Sequence, residues 1–289
     1  MENILLAGAT GYLGQHILTE LSLWRIPAVA VARNPEKLRK LDPELVRIVK
    51  ADVTEPSTID GICTDIDTVI STLGITRQKD GLTYMEVDYH ANLNLLRESQ
   101  RRGVRKFIYI SVINGDKLRH LAITAAKEKF VDELKASGTG YTIIRPNGFY
   151  SDMLEFLEMA KRGRIYLFGK GEFKMNPIHG ADLAEICVQA ISQSMKEITI
   201  GGPDILTHNE IADMAFRALA KPSNIAYLPS WIRKGFLSAM RTFTSSRTFG
   251  SYEFFLEMMG QDNIAPRHGI HRLQDYFNHE IEKQNNVNY

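Results

Sequence analysis

A glycine-rich stretch near the start of the chain constrains the fold more than any other feature. It reads Gly8-Ala9-Thr10-Gly11-Tyr12-Leu13-Gly14, directly after an apolar run at Asn3–Ala7 and at the start of a helical pattern. Gly8 permits a tight turn, Gly11 leaves the backbone open to a pyrophosphate, and Gly14 lets a helix pack close to a strand. Because a strand precedes the motif and a helix follows it, the motif predicts a dinucleotide-binding unit.

The amide groups at the start of this helix would face the phosphates, and the helix dipole would support the contact. We therefore expect six residues of the loop to bind the cofactor. They are Gly8, Thr10, Gly11, Tyr12, Leu13 and Gly14.

Strand-like and helical patterns alternate over the first two thirds of the chain. Strands are predicted at Asn3–Ala7, Ala28–Ala32, Val46–Val49, Thr68–Ser71, Lys106–Ile110, Tyr141–Arg145 and Glu197–Ile200, and helices near Leu13–Leu23, Asp88–Arg102, Ala122–Ser137 and Ala181–Ile191. Most of the strands are continuous apolar runs, which is typical of strands covered by helices on both faces. The alternation predicts an α/β fold with a Rossmann-type, doubly wound parallel sheet.

The pattern changes after about residue 150. Phe149–Lys161 and His208–Leu219 read as helices, and Arg164–Phe173 reads as a hairpin-like stretch. We predict an NAD(P)-binding core over residues 1–150 and a smaller, interleaved C-terminal α/β substrate lobe over 151–289. A segment at about 177–205 is expected to return to the core.

The charge balance limits the classes of partner. The 289 residues include 35 Lys+Arg and 34 Asp+Glu, so the formal net charge is +1. A balance this even argues against a broad binding surface for nucleic acid or for a membrane, although it leaves room for a local patch. Cys63 and Cys187 are expected to be core residues, and the scattered histidines predict no metal site. The N-terminal residues lack the features of a targeting signal, so a cytoplasmic location is expected.

Arg33 bears on which dinucleotide binds. The second strand ends at Ala32-Arg33-Asn34, where an NAD-selective site would place an acid for the ribose hydroxyls. A guanidinium suits a 2′-phosphate, with Lys37 as a second cation, so NADP(H) is predicted in preference to NAD(H). Asp52, followed by Val53, is placed either to bond the adenine amino group or to cap its own turn.

These motifs together resemble the NmrA-like NAD(P)-binding group of atypical short-chain dehydrogenases/reductases. The resemblance rests on Gly8–Gly14, Arg33, Ala51-Asp52-Val53, Ser71-Thr72-Leu73-Gly74, Tyr109-Ile110-Ser111 and Arg145-Pro146-Asn147-Gly148, and covers roughly residues 1–205. It implies that Thr72, Leu73 and Gly74 lie along the pyrophosphate and nicotinamide ribose. It also implies that Ser111 lies near the nicotinamide or substrate, and that Pro146, Asn147 and Phe149 border the nicotinamide.

The catalytic pattern of the group is altered. Its usual Tyr-x-x-x-Lys corresponds to Ile123-Thr124-Ala125-Ala126-Lys127, so the lysine is present and the tyrosine is replaced. Lys127 falls on the inward, apolar side of its helix, where an unpaired ammonium is costly and a cofactor ribose hydroxyl would be a partner. A literal copy of the motif, Tyr166 to Lys170, lies in a β-like, glycine-rich stretch and is attributed to chance.

Lys127 and Ser111 are accordingly the predicted catalytic residues. Without the tyrosine, reduction of an activated C=C bond or a quinone is easier to accommodate than reduction of a simple ketone. Tyr150 and His120 are alternative proton donors. His179 either lines the cleft or is a buried structural residue, and Asp182 fits an acid at a helix start.

The resulting function is an NADPH-dependent reductase of a small, apolar activated C=C, quinone or carbonyl substrate. The alternative is a non-catalytic NADP(H)-binding regulator or assembly factor. Residues 231–247 combine Arg233, Lys234, Arg241 and Arg247 with aromatic and aliphatic residues. This segment is either a helical lid over the substrate pocket or a surface for a membrane or protein partner.

Overall fold

The computed structural model describes residues 2–38, 41–75, 81–232 and 253–287. The chain divides into two compact units. The first comprises Met1–Arg145 and Leu183–Ile198, and the second comprises Pro146–Asp182 and Thr199–Tyr289. The division falls five residues before the predicted one, and the segment that returns to the first unit lies inside the predicted 177–205 range.

One seven-stranded sheet organises the chain, in the order β3-β2-β1-β4-β5-β6-β9. The strands are β1 (Ile4–Ala7), β2 (Ala28–Ala32), β3 (Val46–Lys50), β4 (Thr68–Ser71), β5 (Lys106–Ile110), β6 (Gly140–Pro146), β7 (Ile165–Phe168), β8 (Lys174–Met175), β9 (Glu197–Ile200), β10 (Leu206–Thr207) and β11 (Ile225–Leu228). The pairings from β3 through to β6 are parallel. The predicted doubly wound parallel sheet is confirmed.

The helices are α1 (Tyr12–Leu23), α2 (Asn92–Arg101), α3 (Ala122–Ala136), α4 (Tyr150–Lys161), α5 (Gly180–Ser192), α6 (His208–Ala218) and α7 (Leu273–Val287). A π-helix, Met85–Ala91, runs directly into α2, so the helix predicted from residue 88 begins earlier and with a wider turn. All residues of β1, β2 and β4 are buried, as their unbroken apolar runs require. Strand order reverses between β1 and β4, which places a crevice at the carboxyl ends of these strands.

The second unit has its own core and two small sheets. Strand β7 pairs with β11 in parallel, and β8 pairs with β10 in antiparallel fashion. The predicted hairpin at Arg164–Phe173 is therefore wrong: Gly169 and Gly171 turn the chain away at positive φ, and β7 takes a partner some 60 residues later along the chain. Phe156, Phe216 and Phe277 fill the core of this unit. None of the described helices is long and apolar enough to span a bilayer.

Candidate functional site

A groove of about 340 Å³ lies within the first unit, at the carboxyl ends of β1, β2 and β4. Nine of the predicted cofactor residues line it: Gly8, Thr10, Gly11, Arg33, Asp52, Val53, Thr72, Leu73 and Gly74. Sequence reasoning did not select the other lining residues: Val31, Ala32, Ala51, Thr54, Ile75, Leu82, Val87 and Ala91. The structure thus brings residues from the loops after β1, β2, β3 and β4 into one cavity.

The glycine loop forms the floor of the groove, and two of its glycines, Gly8 and Gly14, leave no room for a side chain. Gly8 has φ +84°, and a Cβ there would overlap the Thr72 hydroxyl and lie 3.0 Å from the Thr72 carbonyl carbon. A Cβ on Gly14 would overlap the Gly8 carbonyl oxygen and lie 2.8 Å from Ala9 Cα. Gly14 therefore brings α1 against the end of β1, while Gly11 lines the open side.

The start of the described helix α1 suits an anion. Gly11 is its N-cap and offers no side chain to accept from the first-turn amides, and no acidic residue lies in that turn. The helix dipole and these amides therefore face the groove without a competing carboxylate. Tyr12 and Leu13 begin the helix; Leu13 is buried, and the Tyr12 ring packs edge-on against His16. The loop fits the pyrophosphate of a dinucleotide.

Arg33 is exposed and lines the groove where β2 ends. A short 3₁₀ turn, Pro35–Leu38, follows and carries an exposed Lys37. Among the described lining residues, Asp52 is the only acid, and it follows β3 rather than β2. The end of β2 therefore presents a guanidinium at the position where an NAD-selective site has a carboxylate.

Asp52 shapes its own turn. Its Oδ1 accepts from the Thr54 backbone amide at 3.0 Å and from the Thr54 hydroxyl at 2.7 Å. The turn-capping alternative is thus present in the structure, while Asp52 and Val53 also line the groove. Asn94 of α2 holds this turn in place by donating to the Val53 carbonyl at 3.1 Å.

Lys127 has a protein partner that sequence reasoning missed. Its Nζ lies 2.8 Å from Asp88 Oδ1, with the lysine side chain 13% exposed and the aspartate side chain fully buried. Burial by itself would lower the pKa of Lys127, but the Asp88 carboxylate outweighs this and raises it. Lys127 thus has a partner within the protein besides the cofactor ribose hydroxyl that the sequence suggests. Both charged atoms adjoin Gly74, which lines the groove.

No hydroxyl replaces the missing tyrosine on α3. Ile123 is buried, and the ring centroid of Tyr109 of β5 lies 5.7 Å from Lys127 Nζ. The Tyr109 hydroxyl is buried, and it has no hydrogen-bond partner of good geometry among the described residues. Burial raises the pKa of Tyr109, so the hydroxyl stays protonated. Tyr109 packs edge-on against Phe130, which makes it part of the core.

Ser111 is held by a second buried ion pair. Its hydroxyl donates to Glu128 Oε1 at 2.7 Å, and Glu128 also accepts two hydrogen bonds from Arg145, at 2.6 and 2.9 Å. Ser111, Glu128 and Arg145 are all buried, and Ser111 is not among the groove-lining residues. The hydroxyl that is predicted to lie near the nicotinamide or substrate thus donates to a buried carboxylate.

The predicted nicotinamide residues after β6 belong to the second unit. Asn147 is buried; its side-chain amide donates to Asn176 Oδ1 at 2.8 Å and to the Asn263 carbonyl at 2.7 Å, and its Oδ1 accepts from the Gly148 amide. Pro146 ends β6, and Phe149 caps α4 while its amide donates to Asp152. The side-chain amide and carbonyl groups of Asn147 thus form hydrogen bonds within the second unit.

Aromatic and histidine side chains form a cluster in the second unit. The His179 ring stacks on His271 with centroids 4.3 Å apart, and His271 Nδ1 lies 2.7 Å from Asp182 Oδ1. Asp182 lies in the first turn of α5, as predicted. The buried Tyr150 donates its hydroxyl to the His271 carbonyl at 2.7 Å, which leaves this proton engaged in structure. His120, the other suggested donor, is exposed.

The structure bears on three further features of the sequence. Tyr166 lies half exposed on β7 and Lys170 follows the turn at Gly169, so the literal Tyr-x-x-x-Lys is not on a helix. Cys63 and Cys187 are both buried and unpaired. The segment 231–247 falls mostly outside the described residues; of its described part, Trp231 is 72% exposed.

Comparison with known proteins assigns this chain to a family. The chain matches the model of the NAD(P)H-binding family over residues 8–194, and it belongs to that family. It is 30% identical over 247 residues to the chloroplastic divinyl chlorophyllide a 8-vinyl-reductase of Oryza sativa subsp. indica, covering 78% of this chain and 61% of the reductase. It is 26% identical over 250 residues to the photosystem II assembly factor Ycf39 of Synechocystis sp., covering 83% and 74% of the two chains.

The fold is shared with solved oxidoreductases. The NADPH-dependent quinone oxidoreductase of Escherichia coli, complexed with NADPH, superposes with a TM-score of 0.73 at 18% identity, over 96% of this chain and 99% of that one. The resemblance to the NmrA-like NAD(P)-binding group is confirmed. The chain spans about three fifths of the length of the vinyl reductases that it matches.

Proposed function

We propose that this member of the NAD(P)H-binding family is an NADPH-dependent reductase of a small, apolar acceptor with an activated C=C bond, a quinone or a carbonyl group. The observation that carries the proposal is the groove itself, with a glycine floor, an uncapped helix start and Arg33 at the end of β2. Bound NADPH would supply the hydride. The protein's own groups would hold the dinucleotide and shape what meets it.

The choice of NADPH rests on charge. Arg33 offers two parallel N–H donors to a 2′-phosphate, and Lys37 adds a second cation nearby in sequence. An NADH-selective site would need a carboxylate at this place to accept from the ribose hydroxyls, and the described lining residues between β2 and β3 include none before Ala51. Lys127 would reach the dinucleotide from beside Gly74 and keep its positive charge there.

The acceptor class follows from the side chain at position 123. A carbonyl reductase uses a hydroxyl to protonate the developing alkoxide, but Ile123 provides none and Tyr109 is buried. An acceptor that delocalises the incoming charge depends less on such a donor. The name of the vinyl reductase relative, which describes reduction of a C=C group, supports this class.

A second function is also supported by the absence of that hydroxyl. A chain that binds NADP(H) without turnover could serve as a regulator or assembly factor, and a matched relative is named as a photosystem II assembly factor. This alternative includes a peripheral membrane or protein partner through residues 231–247. The two functions differ in whether NADPH is consumed.

Titration calorimetry with NADPH and NADH tests the cofactor. We expect tighter binding of NADPH, and we expect Arg33→Ala to reduce this preference by about 10- to 100-fold. Arg47→Ala, which removes an exposed arginine from β3 outside the groove, is the matched control. Equal affinity for the two dinucleotides in the unaltered chain would contradict the NADPH assignment.

Turnover is tested with a panel of quinones and enones by following NADPH absorbance. Consumption of NADPH with at least one acceptor supports the reductase. Tight NADPH binding without consumption across the panel would favour the regulator.

A further inference from the structure

The carboxylate of Asp88 joins a loop of the groove wall to α3. Its Oδ1 pairs with Lys127 of α3, and its Oδ2 accepts from the backbone amide of Ile75 at 3.2 Å. Ile75 belongs to the loop after β4 and lines the groove. One buried side chain therefore ties the loop to the helix that carries the lysine.

Gly74 shows how close this pair is to the groove. A Cβ on Gly74 would lie 2.7 Å from Lys127 Nζ and 2.8 Å from Asp88 Oδ1. Any side chain at position 74 would thus displace both charged atoms. Gly74 itself lines the groove, so the ion pair lies directly behind the wall at this point.

The π-helix accounts for the direction of the Asp88 side chain. Met85–Ala91 has the wide turn of a π-helix, a form that is frequent at functional sites. Asn92 donates to the Asp88 carbonyl at 3.0 Å and to the Val87 carbonyl at 3.3 Å, and it accepts from the Ser71 hydroxyl. The turn is thereby fastened to the end of β4. Val87 and Ala91 face the groove, while Asp88 faces Lys127.

We propose that Asp88 is a positioning residue, which holds the Lys127 ammonium against Gly74 so that the amine meets the ribose of NADPH from the groove wall. This inference rests on the proposed function. Two buried opposite charges attract strongly only if their geometry is fixed, and the Ile75 amide and Asn92 fix it here.

Few of the titratable groups that the structure describes face Lys127. Asp88 faces it from the π-helix and Tyr109 faces it from β5. Glu128, the next residue of α3, is engaged with Arg145, and Tyr89 of the π-helix donates to Glu133 at 3.0 Å. Removing the Asp88 charge therefore leaves burial as the main influence, and burial lowers the pKa of a lysine.

The experiment measures the dissociation constant of NADPH by fluorescence as a function of pH, which requires no turnover. In Asp88→Asn, we expect the constant to rise at least about fivefold between about pH 7 and about pH 9, as Lys127 loses its proton. In the unaltered chain the constant should stay within about twofold over that range, because Lys127 remains charged. Asp132→Asn removes an exposed carboxylate of α3 that pairs with Arg119, and it should match the unaltered chain.

A comparison of two further variants keeps the test valid if Asp88→Asn folds poorly. Lys127→Met should weaken NADPH about 10-fold without pH dependence, and Asp88→Asn/Lys127→Met should bind NADPH as Lys127→Met does. The double variant leaves no buried charge without a partner, so it is expected to fold.

Two outcomes would overturn the inference. NADPH binding by Asp88→Asn with the pH profile of the unaltered chain would remove the role of Asp88 while leaving the proposed function intact. Failure of the unaltered chain to bind NADPH would remove both.

Discussion

Gly11→Ala and Gly14→Ala add the same methyl group to the same loop, and we expect them to act in different ways. A Cβ on Gly11 lies 3.3 Å from the Gly8 carbonyl oxygen, so a shift of a few tenths of an ångström accommodates it. The Gly11 backbone, at φ −76° and ψ 170°, is open to any residue. A Cβ on Gly14 instead meets backbone atoms of Gly8 and Ala9, and the helix must move away from the strand.

The magnitudes follow from these contacts. Overpacking costs about 1–3 kcal/mol, and the Tm of a domain of this size changes by about 2–4 °C per kcal/mol. We expect Gly14→Ala to lower Tm by about 4–10 °C and Gly11→Ala to lower it by less than about 2 °C. NADPH at about 100 times its dissociation constant adds about 2.7 kcal/mol, or about 5–10 °C, to the unaltered chain.

Gly11→Ala should lose this gain from NADPH, because its methyl group occupies the approach of the pyrophosphate. Scanning fluorimetry with and without NADPH measures both effects, and circular dichroism checks the fold. A full NADPH-dependent rise in Gly11→Ala would refute the assignment of the phosphates to this loop. An unchanged Tm in Gly14→Ala would refute the close packing of α1.

Two more substitutions test the rest of the chain. Ser111→Ala should lower the free energy of unfolding by about 1–2 kcal/mol, because Glu128 loses a buried donor. The same variant should keep kcat within about twofold of the unaltered chain. A 100-fold loss of kcat without loss of stability would instead support the catalytic role of Ser111. Burial lowers the pKa of His208 to about 4, so the unfolded chain binds the proton first as pH falls from about 6.5 to 4. The free energy of unfolding should fall by up to about 3 kcal/mol over this window. Urea unfolding at several pH values measures this fall, which should be smaller in His208→Gln. An equal fall in the variant would mean that His208 is accessible to protons in the folded chain.

The residues of the groove could be predicted because their positions follow from local pattern and topology. The glycine loop is read from adjacent residues, and parallel strands bring their carboxyl ends to one edge, which gathers Arg33, Asp52 and Thr72. The roles of Ser111 and Asn147 could not be read in the same way. A polar residue after a strand can face a ligand or satisfy a buried group, and the partners here, Glu128 and Asn263, are distant in sequence.

Asp88 was missed for a different reason. Sequence periodicity assumes a turn of 3.6 residues, and the predicted helix began at residue 88 itself. The π-helix changes the phase over Met85–Ala91, so the inward direction of Asp88 cannot be read from the spacing. A signal was nonetheless present in the sequence. Lys127 on an inward face needs a buried partner, which an acidic side chain can supply, and Asp88 begins the predicted helix after the groove loop.

The presence of this ion pair favours the reductase over the regulator. Burying two charges costs several kcal/mol per ion, and apolar residues of similar volume often stabilise a fold as well or better. Stability therefore does not explain why Asp88 and Lys127 lie behind the groove wall. A protein that only holds NADP(H) has the glycine loop and Arg33 for that purpose. A cation fixed at one point of the wall has a clear use when a reacting dinucleotide must be oriented, because small errors of position reduce the rate of transfer far more than they reduce binding.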